Sequence, residues 1–210
     1  MITIRQERRT DEAARERLLD AAYGPVRLTK PSQRLREGRM PATGLSFVAV
    51  EDGRVVGTVR LWPVTAGAER AALLLGPLAV DPACRKRGIG SALMRRALRD
   101  ARRRGHRAVL LVGDASYYGR FGFSADNTGG LWLPGPYEAH RLLGCELTAG
   151  ALDGARGLNP RPAPPGAPAR AAGRRNGRPR TGAAAGLTSQ YRGRRGRFSR
   201  RPIPLTARGG

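Results

Sequence analysis

The chain has 210 residues, which is enough for one domain of ordinary size and an extension. Its 39 Lys and Arg residues stand against 16 Asp and Glu, and the net charge of +23 predicts nonspecific attraction to nucleic acid but no particular fold. The two cysteines, Cys84 and Cys145, are too few for a disulfide scaffold and lack metal-ligand spacing, so we expect reduced thiols and no metal. Because no apolar run approaches the ~20 residues that span a bilayer and residues 1–10 show no signal-peptide core, we expect a cytoplasmic protein without a membrane partner.

The first half of the chain predicts two helices and a set of antiparallel strands. A short strand is expected over residues 2–5, and Thr10 and Asp11 can cap a helix over residues 12–23. A second short helix is predicted over residues 32–38. Three strands follow, at residues 45–50, 55–64 and 71–80. A strong hairpin turn at Asp52-Gly53 joins the first two strands, and Gly76-Pro77 marks a bulge or an edge in the third.

The second half predicts a unit in which a helix connects two strands. A helix is expected over residues 88–104, with Gly105 ending it, and a wholly apolar strand over residues 108–112. A short helix is predicted over residues 115–120 and a last strand over 140–147. The apolar face of the long helix should pack on the sheet; it comprises Leu93, Met94, Ala97, Leu98 and Ala101. Together these elements indicate a mixed α/β sheet.

The composition changes near residue 156. Residues 157–210 contain 13 Arg, no Lys and no acidic residue, which leaves 26 basic and 16 acidic residues, a net charge of +10, in residues 1–156. The segment is rich in Pro, Gly and Ala, and it has too few apolar side chains to offset the entropy of ordering. We therefore predict a folded domain over residues 1–156 and a disordered tail over residues 157–210.

Residues 85–91 join a buried strand to the long helix, and their composition is typical of a phosphate-binding turn. Glycines at 88 and 90 let the backbone approach a ligand closely, and three basic residues precede them. The first N–H groups of a helix have no internal partner and carry the positive end of its dipole. A dinucleotide-binding fold is an alternative, with Asp114 placed to hold a ribose. It is disfavoured because residues 81–87 separate the strand from Gly88.

The pattern Arg-x-x-Gly-x-Gly, formed by Arg85, Gly88 and Gly90 after Leu78-Ala79-Val80-Asp81-Pro82, resembles the pyrophosphate-binding signature of the GNAT superfamily of acetyl-CoA-dependent N-acetyltransferases. Residues 117–123 resemble a later segment of that superfamily, and residues 35–38, 57–64 and 113–123 are similar to its YhbS-like branch. The resemblance covers about residues 1–156. It implies a mixed, mostly antiparallel sheet flanked by helices, in which the central parallel strands at 71–80 and 108–112 splay apart around CoA.

The resemblance also implies which residues bind acetyl-CoA, the expected cosubstrate. Backbone groups of Leu78 and Val80 would hold the pantetheine arm and the acetyl carbonyl, and Ala79 between them is also expected to bind the cofactor. The pyrophosphate would be held by the N–H groups of Arg85, Lys86, Arg87, Gly88, Ile89, Gly90 and Ser91. Tyr118 matches the position of a general acid for the departing CoA thiolate, a task that suits a phenol. The alternative for Tyr118 is aromatic packing, and Tyr117 is its competitor for the catalytic role.

The sequence offers no evident general base for the acceptor amine. No acidic residue lies in residues 71–80, and Glu69 stands outside that strand, so a water chain through backbone carbonyls is one alternative. Asp114 is expected to cap the short helix at Ala115, with a role as base the second interpretation. Cys84, on a loop expected to face solvent, is a poor acyl-enzyme nucleophile. The resemblance therefore implies direct attack by a primary amine, either a small molecule or a peptide, in a ternary complex; the motifs leave the oligomeric state open.

The tail supports a second hypothesis from a different functional class. Residues 192–198 read Arg-Gly-Arg-Arg-Gly-Arg-Phe and resemble RG-rich segments that bind nucleic acid nonspecifically and with strong salt dependence. A nucleic-acid-binding protein with a vestigial CoA-binding domain would use this tail. The alternative is a non-adaptive extension, because translation of a GC-rich strand in a shifted frame gives a similar composition.

Overall fold

The computed structural model describes residues 1–67 and 70–160. Within these residues seven strands form one sheet: β1 Ile2–Gln6, β2 Ser46–Glu51, β3 Arg54–Ala66, β4 Arg70–Val80, β5 Ala108–Val112, β6 Leu142–Glu146 and β7 Leu158–Pro160. Four α-helices accompany them: α1 Glu12–Tyr23, α2 Pro31–Arg34, α3 Ile89–Arg103 and α4 Ala115–Tyr118. No helix in this part of the chain has the length and apolar character needed to cross a membrane.

The strand order is β1-β2-β3-β4-β5-β6, with β7 paired to the far end of β3. Every pairing is antiparallel except that of β4 with β5, which is parallel. That parallel pairing is limited to Leu73 with Val109 and Leu74 with Leu110, and beyond it the two strands separate. The predicted mixed, mostly antiparallel sheet with splayed central parallel strands is confirmed.

The central strand β5 is buried on both faces of the sheet. Val109 and Leu111 pack in the core beneath α3, whereas Ala108 and Leu110 pack in a second core on the opposite face. A strand covered on both sides needs no polar residue, and this explains its continuous apolar run. The predicted apolar face of α3 is confirmed, with four of its residues buried and Leu98 half-buried.

Two predicted helices are shorter than expected. The segment predicted as a helix over residues 32–38 is helical only over Pro31–Arg34, after which the bonds change to turns such as Arg36 N–H to the Gln33 carbonyl at 2.9 Å. Gly38, with φ of 68°, then reverses the chain. The helix predicted over 115–120 ends at Tyr118 and continues as a 3-10 turn, Gly119–Phe121. Local sequence marks where these helices begin better than where they end.

The predicted domain boundary at residue 156 falls short of β7. Leu158 is buried, and β7 pairs with β3 through Ala66, Thr65 and Val64. Gly157 makes this return possible because its φ of 74° turns the chain and its carbonyl accepts the Gly67 N–H at 2.8 Å. The remainder of the predicted tail, residues 161–210 with the RG-rich segment, lies outside the described residues, as does Glu69, so the predicted disorder stays a prediction.

A bulge at Gly76 and Pro77 confirms the predicted interruption of β4. Val59 of β3 faces Leu78, and Leu61 faces Leu75, so two residues of β4 stand opposite the single residue Arg60. Such a bulge bends a strand and redirects its backbone groups. The indole N–H of Trp62 donates to the Gly76 carbonyl at 2.6 Å and fixes the bulge from within the core.

A buried group of charges joins α1 to β3 beside this bulge. The Glu7 side chain is 5% exposed and accepts hydrogen bonds from Arg15 of α1 and from Arg60, whose Nε lies 2.7 Å from Oε2. Arg15 is 4% exposed and also contacts Glu16 at 2.6 Å. Buried charges of this kind are tolerated only when each has partners of good geometry. The cluster therefore determines where α1 lies on the sheet.

We predict that Glu7→Gln lowers the free energy of unfolding by about 3 kcal/mol, because it leaves two guanidinium groups beside a neutral amide with their desolvation uncompensated. Urea denaturation measures the change. The matched control is Glu37→Gln, which neutralises an exposed carboxylate and should alter stability by less than about 0.5 kcal/mol. Equal effects of the two substitutions would show that Glu16 alone balances Arg15.

Candidate active site

Two cavities meet where β4 and β5 separate. The larger, of about 550 Å³, lies between Leu74–Leu78 of β4 and the residues that end and follow β5. The smaller, of about 230 Å³, lies beside residues 78–80 and is bounded by Arg85, Gly90 and Tyr117. Three residues line both cavities: Tyr23, Leu78 and Tyr118. An arrangement of this kind can hold two reactants whose reacting ends meet at the shared residues.

The backbone of β4 beyond the bulge faces in two directions. The Asp81 N–H donates to the Val56 carbonyl of β3 at 2.9 Å. Because the backbone groups of successive residues in a strand point to opposite edges, those of Ala79 also face β3. Leu78 and Val80 therefore direct their N–H and carbonyl groups to the open edge. The Leu78 carbonyl is accordingly free of β3 and accepts a hydrogen bond from the Tyr23 hydroxyl group. Of the three residues predicted to bind the pantetheine arm, Ala79 offers only surface contact.

Tyr118 is held between the cavities by α4. Asp114 begins this helix by accepting hydrogen bonds from the Ser116 N–H and hydroxyl group, each at 2.9 Å, which confirms its predicted role as a cap. The Tyr118 ring makes edge contacts with Tyr117 at 4.9 Å and Phe123 at 6.1 Å between centroids. A side chain at position 113 would meet this ring, since a Cβ there would lie 2.1 Å from Tyr118 Cε2. Glycine is thus required for the ring's position.

Burial controls the acid–base character of the tyrosines at the junction. It raises the pKa of Tyr118 to about 12, and the neighbouring phenols of Tyr23 and Tyr117 add to the effect. Burial also raises the pKa of Tyr23. In contrast, the hydrogen bonds from Ser116 lower the pKa of Asp114, which makes that carboxylate a weaker base. Tyr118 is therefore a neutral proton donor at working pH.

The glycine-rich loop leads into the N-terminus of α3, where backbone N–H groups point out of the helix. Lys86 and Gly88 adopt left-handed conformations with φ of 64° and 78°, and α3 begins at Ile89 without a side-chain cap. The N–H groups of Ile89, Gly90 and Ser91 open α3 and therefore have no acceptor within that helix. The Arg85 N–H differs, because it donates to the Pro82 carbonyl at 3.4 Å. Consecutive N–H groups at a helix start form a binding site for an anion.

Arg85 and Arg87, two of the basic residues of this loop, have different surroundings. Arg85 lines the smaller cavity, as expected for a residue that attracts an anion. Arg87 instead pairs with Glu51 at the end of β2, with contacts of 2.6 and 2.8 Å. The expectation that Cys84 lies on a solvent-facing loop is wrong: a 3-10 turn directs it inward, where it is 9% exposed and lines neither cavity.

Tyr23 is a site residue that sequence analysis did not single out. It occupies the last position of α1, and its hydroxyl group reaches Leu78, 55 residues further along the chain. Gly113 likewise stands out in the sequence only as part of the segment 113–123. Neither residue has a local signal, because the role of each depends on a contact with a distant element or a neighbouring ring. Only the position of Tyr23 at a helix end, directly before Gly24, could have drawn attention to it.

The fold and the paired cavities at the splay are those of a CoA-dependent acyltransferase. The model of the acetyltransferase (GNAT) family matches residues 13–123. The chain is also 32% identical to the N-acetyltransferase YhbS of Escherichia coli K12 over 159 residues, covering 74% of this chain and 93% of that protein. This chain therefore belongs to the GNAT family of acetyltransferases.

Solved structures of two relatives agree with the fold. The crystal structure of Escherichia coli YhbS in complex with CoA is 28% identical, with a TM-score of 0.66 over 76% of this chain and 89% of that one. The structure of a GNAT family acetyltransferase from Brucella melitensis in complex with acetyl-CoA is 38% identical, with a TM-score of 0.52 over 59% of this chain and 83% of that one. The first of these likenesses covers almost the whole part that the structure describes.

We predict that Tyr118 titrates near pH 12, above the value of about 10 for an ordinary tyrosine. The measurement is the phenolate absorbance of the native protein minus that of Tyr118→Phe. Because the unfolded chain loses this proton first, the associated stabilisation is present below pH 10 and is lost as the pH rises towards 12. In denaturant the same difference should titrate at about 10. A native midpoint at or below 10 would contradict burial of the phenol.

Proposed function

We propose that this protein transfers the acetyl group of acetyl-CoA to a primary amine that attacks the thioester directly. The observation that carries the proposal is the position of Tyr118, a half-buried neutral phenol, at the junction of two cavities. Membership of the family and the CoA and acetyl-CoA complexes of its relatives support acetyl-CoA as the cosubstrate. The smaller cavity takes the cosubstrate and the larger cavity takes the amine.

The open edge of β4 supports a binding mode for the pantetheine arm. Leu78 and Val80 direct backbone groups away from β3, so they can bond to the amides of an extended arm as a neighbouring strand would. The Leu78 N–H lies on the same edge as the carbonyl that Tyr23 holds, and it polarises the acetyl carbonyl. Ala79 contributes van der Waals contact along the cavity wall.

The loop before α3 provides the pyrophosphate site in this proposal. The N–H groups of residues 86–91 donate to the phosphate oxygens, and the dipole of α3 stabilises their charge. Arg85 contributes a cation from the wall of the smaller cavity. Arg87 acts indirectly, because its ion pair with Glu51 fixes the loop to β2.

The chemical step joins an amine nitrogen to the acetyl carbon and breaks the bond between that carbon and sulfur. The amine enters neutral, after losing a proton to water in the open larger cavity. Tyr118 donates a hydrogen bond to the sulfur as negative charge develops there, and the thiolate finally takes up a proton. The nitrogen releases its second proton to water, so the products are an N-acetyl amine and CoA with a protonated thiol.

We predict that Tyr118→Phe lowers kcat by about 10²- to 10³-fold, because it removes the only donor proposed for the departing sulfur. The KM for acetyl-CoA should change little, since the ring and its packing remain. The measurement is steady-state release of CoA with a reactive primary amine. Tyr117→Phe is the matched control and should retain nearly full activity. A larger loss for Tyr117→Phe than for Tyr118→Phe would reverse the assignment.

We predict that Gly90→Trp abolishes binding of acetyl-CoA, measured by calorimetry at two salt concentrations. A Cβ at position 90 already lies 3.3 Å from the Tyr117 hydroxyl group, so an indole there fills the smaller cavity and the approach to the loop. Gly129→Trp is the control, because a Cβ at that exposed position meets no atom within 4 Å. Binding by the native protein should weaken at the higher salt concentration. Equal binding by both variants would disprove the site.

A further inference from the structure

The larger cavity contains a guanidinium group that is held in a fixed orientation. Arg36 follows α2, lines the cavity and is half-buried. Its Nε donates to the Ser32 carbonyl at 2.9 Å, and its Nη2 donates to the Ser32 hydroxyl group at 2.6 Å. Both bonds use the same side of the planar group. The opposite edge, formed by Nη1 and the second hydrogen of Nη2, is therefore available to a ligand.

The charge of Arg36 has no partner of opposite sign in the part of the chain that the structure describes. Its hydrogen bonds go to neutral oxygens, the carbonyl and the hydroxyl group of Ser32. Burial lowers the pKa of Arg36 to about 10, so the side chain is still cationic at neutral pH. A desolvated cation without a counter-charge is unfavourable, and a bound anion would relieve this cost.

The two carboxylates that line the same cavity, Asp114 and Glu138, have partners other than Arg36. Asp114 caps α4 through Ser116, and Glu138 lies 3.6 Å from Arg141 and close to His140. A further cation is present in Lys30, whose ammonium group lies 5.0 Å from the centre of the Tyr23 ring. The cavity thus has an excess of positive charge on its α2 side, which disfavours a polycationic acceptor and favours an anionic one.

We propose that the acceptor is a primary amine that also carries an anionic oxygen group, a carboxylate or a phosphate, bound end-on by Arg36. This rests on the proposed acetyl transfer. The two N–H groups of the free edge match the two oxygens of such an anion. Arg36 lines the larger cavity and not the smaller one, so its ligand is the acceptor and not the pyrophosphate of CoA. The amine would then lie towards Tyr118, across the cavity.

The test compares acceptors that differ only in the anion. Glycine, β-alanine, γ-aminobutyrate and ε-aminohexanoate are each paired with their carboxamide, and phosphoethanolamine is paired with ethanolamine. The value of kcat/KM for each is measured with the native protein, Arg36→Gln, Arg36→Lys and Arg34→Gln. Arg34→Gln is the matched control, because Arg34 is an exposed cation of α2 that lines neither cavity.

We expect the native protein to prefer at least one anionic acceptor by about 10- to 100-fold over its neutral partner. Arg36→Gln should remove most of this preference, Arg36→Lys should retain part of it, and Arg34→Gln should preserve it. A phosphate preference without a carboxylate preference identifies the anion as phosphate. Loss of turnover of neutral and anionic acceptors alike in Arg36→Gln would indicate a structural role and overturn the proposal.

The outcome also separates this proposal from the acetyl transfer on which it rests. Equal or better turnover of the neutral amines by the native protein, or no turnover of any anionic acceptor while acetyl-CoA binds, overturns the role of Arg36 alone. Failure to bind acetyl-CoA, measured by calorimetry on the same preparation, overturns the proposed function itself.

Discussion

The two-residue bulge of β4 opposite Arg60 is the constraint on which the site depends. Upstream of the bulge, β4 pairs with β5 at Leu73 and Leu74; downstream, Leu78 and Val80 face an open edge. The gap between β4 and β5 thus begins where the bulge redirects β4. The bulge therefore removes a few hydrogen bonds between strands and leaves backbone groups to which a ligand can form hydrogen bonds.

The same bulge is the point at which α1 is attached. Arg60 stands opposite it and bonds to Glu7, which also bonds to Arg15 of α1. Buried charges contribute little net stability, but they require good geometry, because any displacement leaves one of them without a partner. The cluster thus fixes the lateral position of α1. It thereby also positions Tyr23, whose hydroxyl group donates a hydrogen bond to the Leu78 carbonyl. The ion cluster and the junction of the two cavities are parts of one arrangement.

The elements predicted well from sequence are those determined by local interactions. The hairpin at Asp52-Gly53 forms because both residues adopt positive φ values, of 48° and 77°, and α1 and β5 have the predicted bounds. What was missed depends on contacts between distant residues. Glu7 and Arg60 are 53 residues apart, and β7 forms only because β3 extends beyond β2 and offers it a partner. The loop of residues 85–91 can be predicted as a phosphate site because its composition and spacing are local, whereas the pairing of Arg87 with Glu51 joins distant residues and could not be predicted.

In the proposed mechanism, the high pKa of Tyr118 determines how this residue assists the departing thiolate. An ordinary thiol has a pKa near ~8.5, so complete proton transfer from a phenol of pKa about 12 would be uphill by about 5 kcal/mol. A strong hydrogen bond to the sulfur carries no such cost, and it stabilises negative charge that is greater in the transition state than in the thioester. The burial that raises this pKa also keeps the phenol protonated. In the proposed mechanism Tyr118 therefore acts mainly through the hydrogen bond that it donates to the sulfur, and the thiolate takes up its proton afterwards.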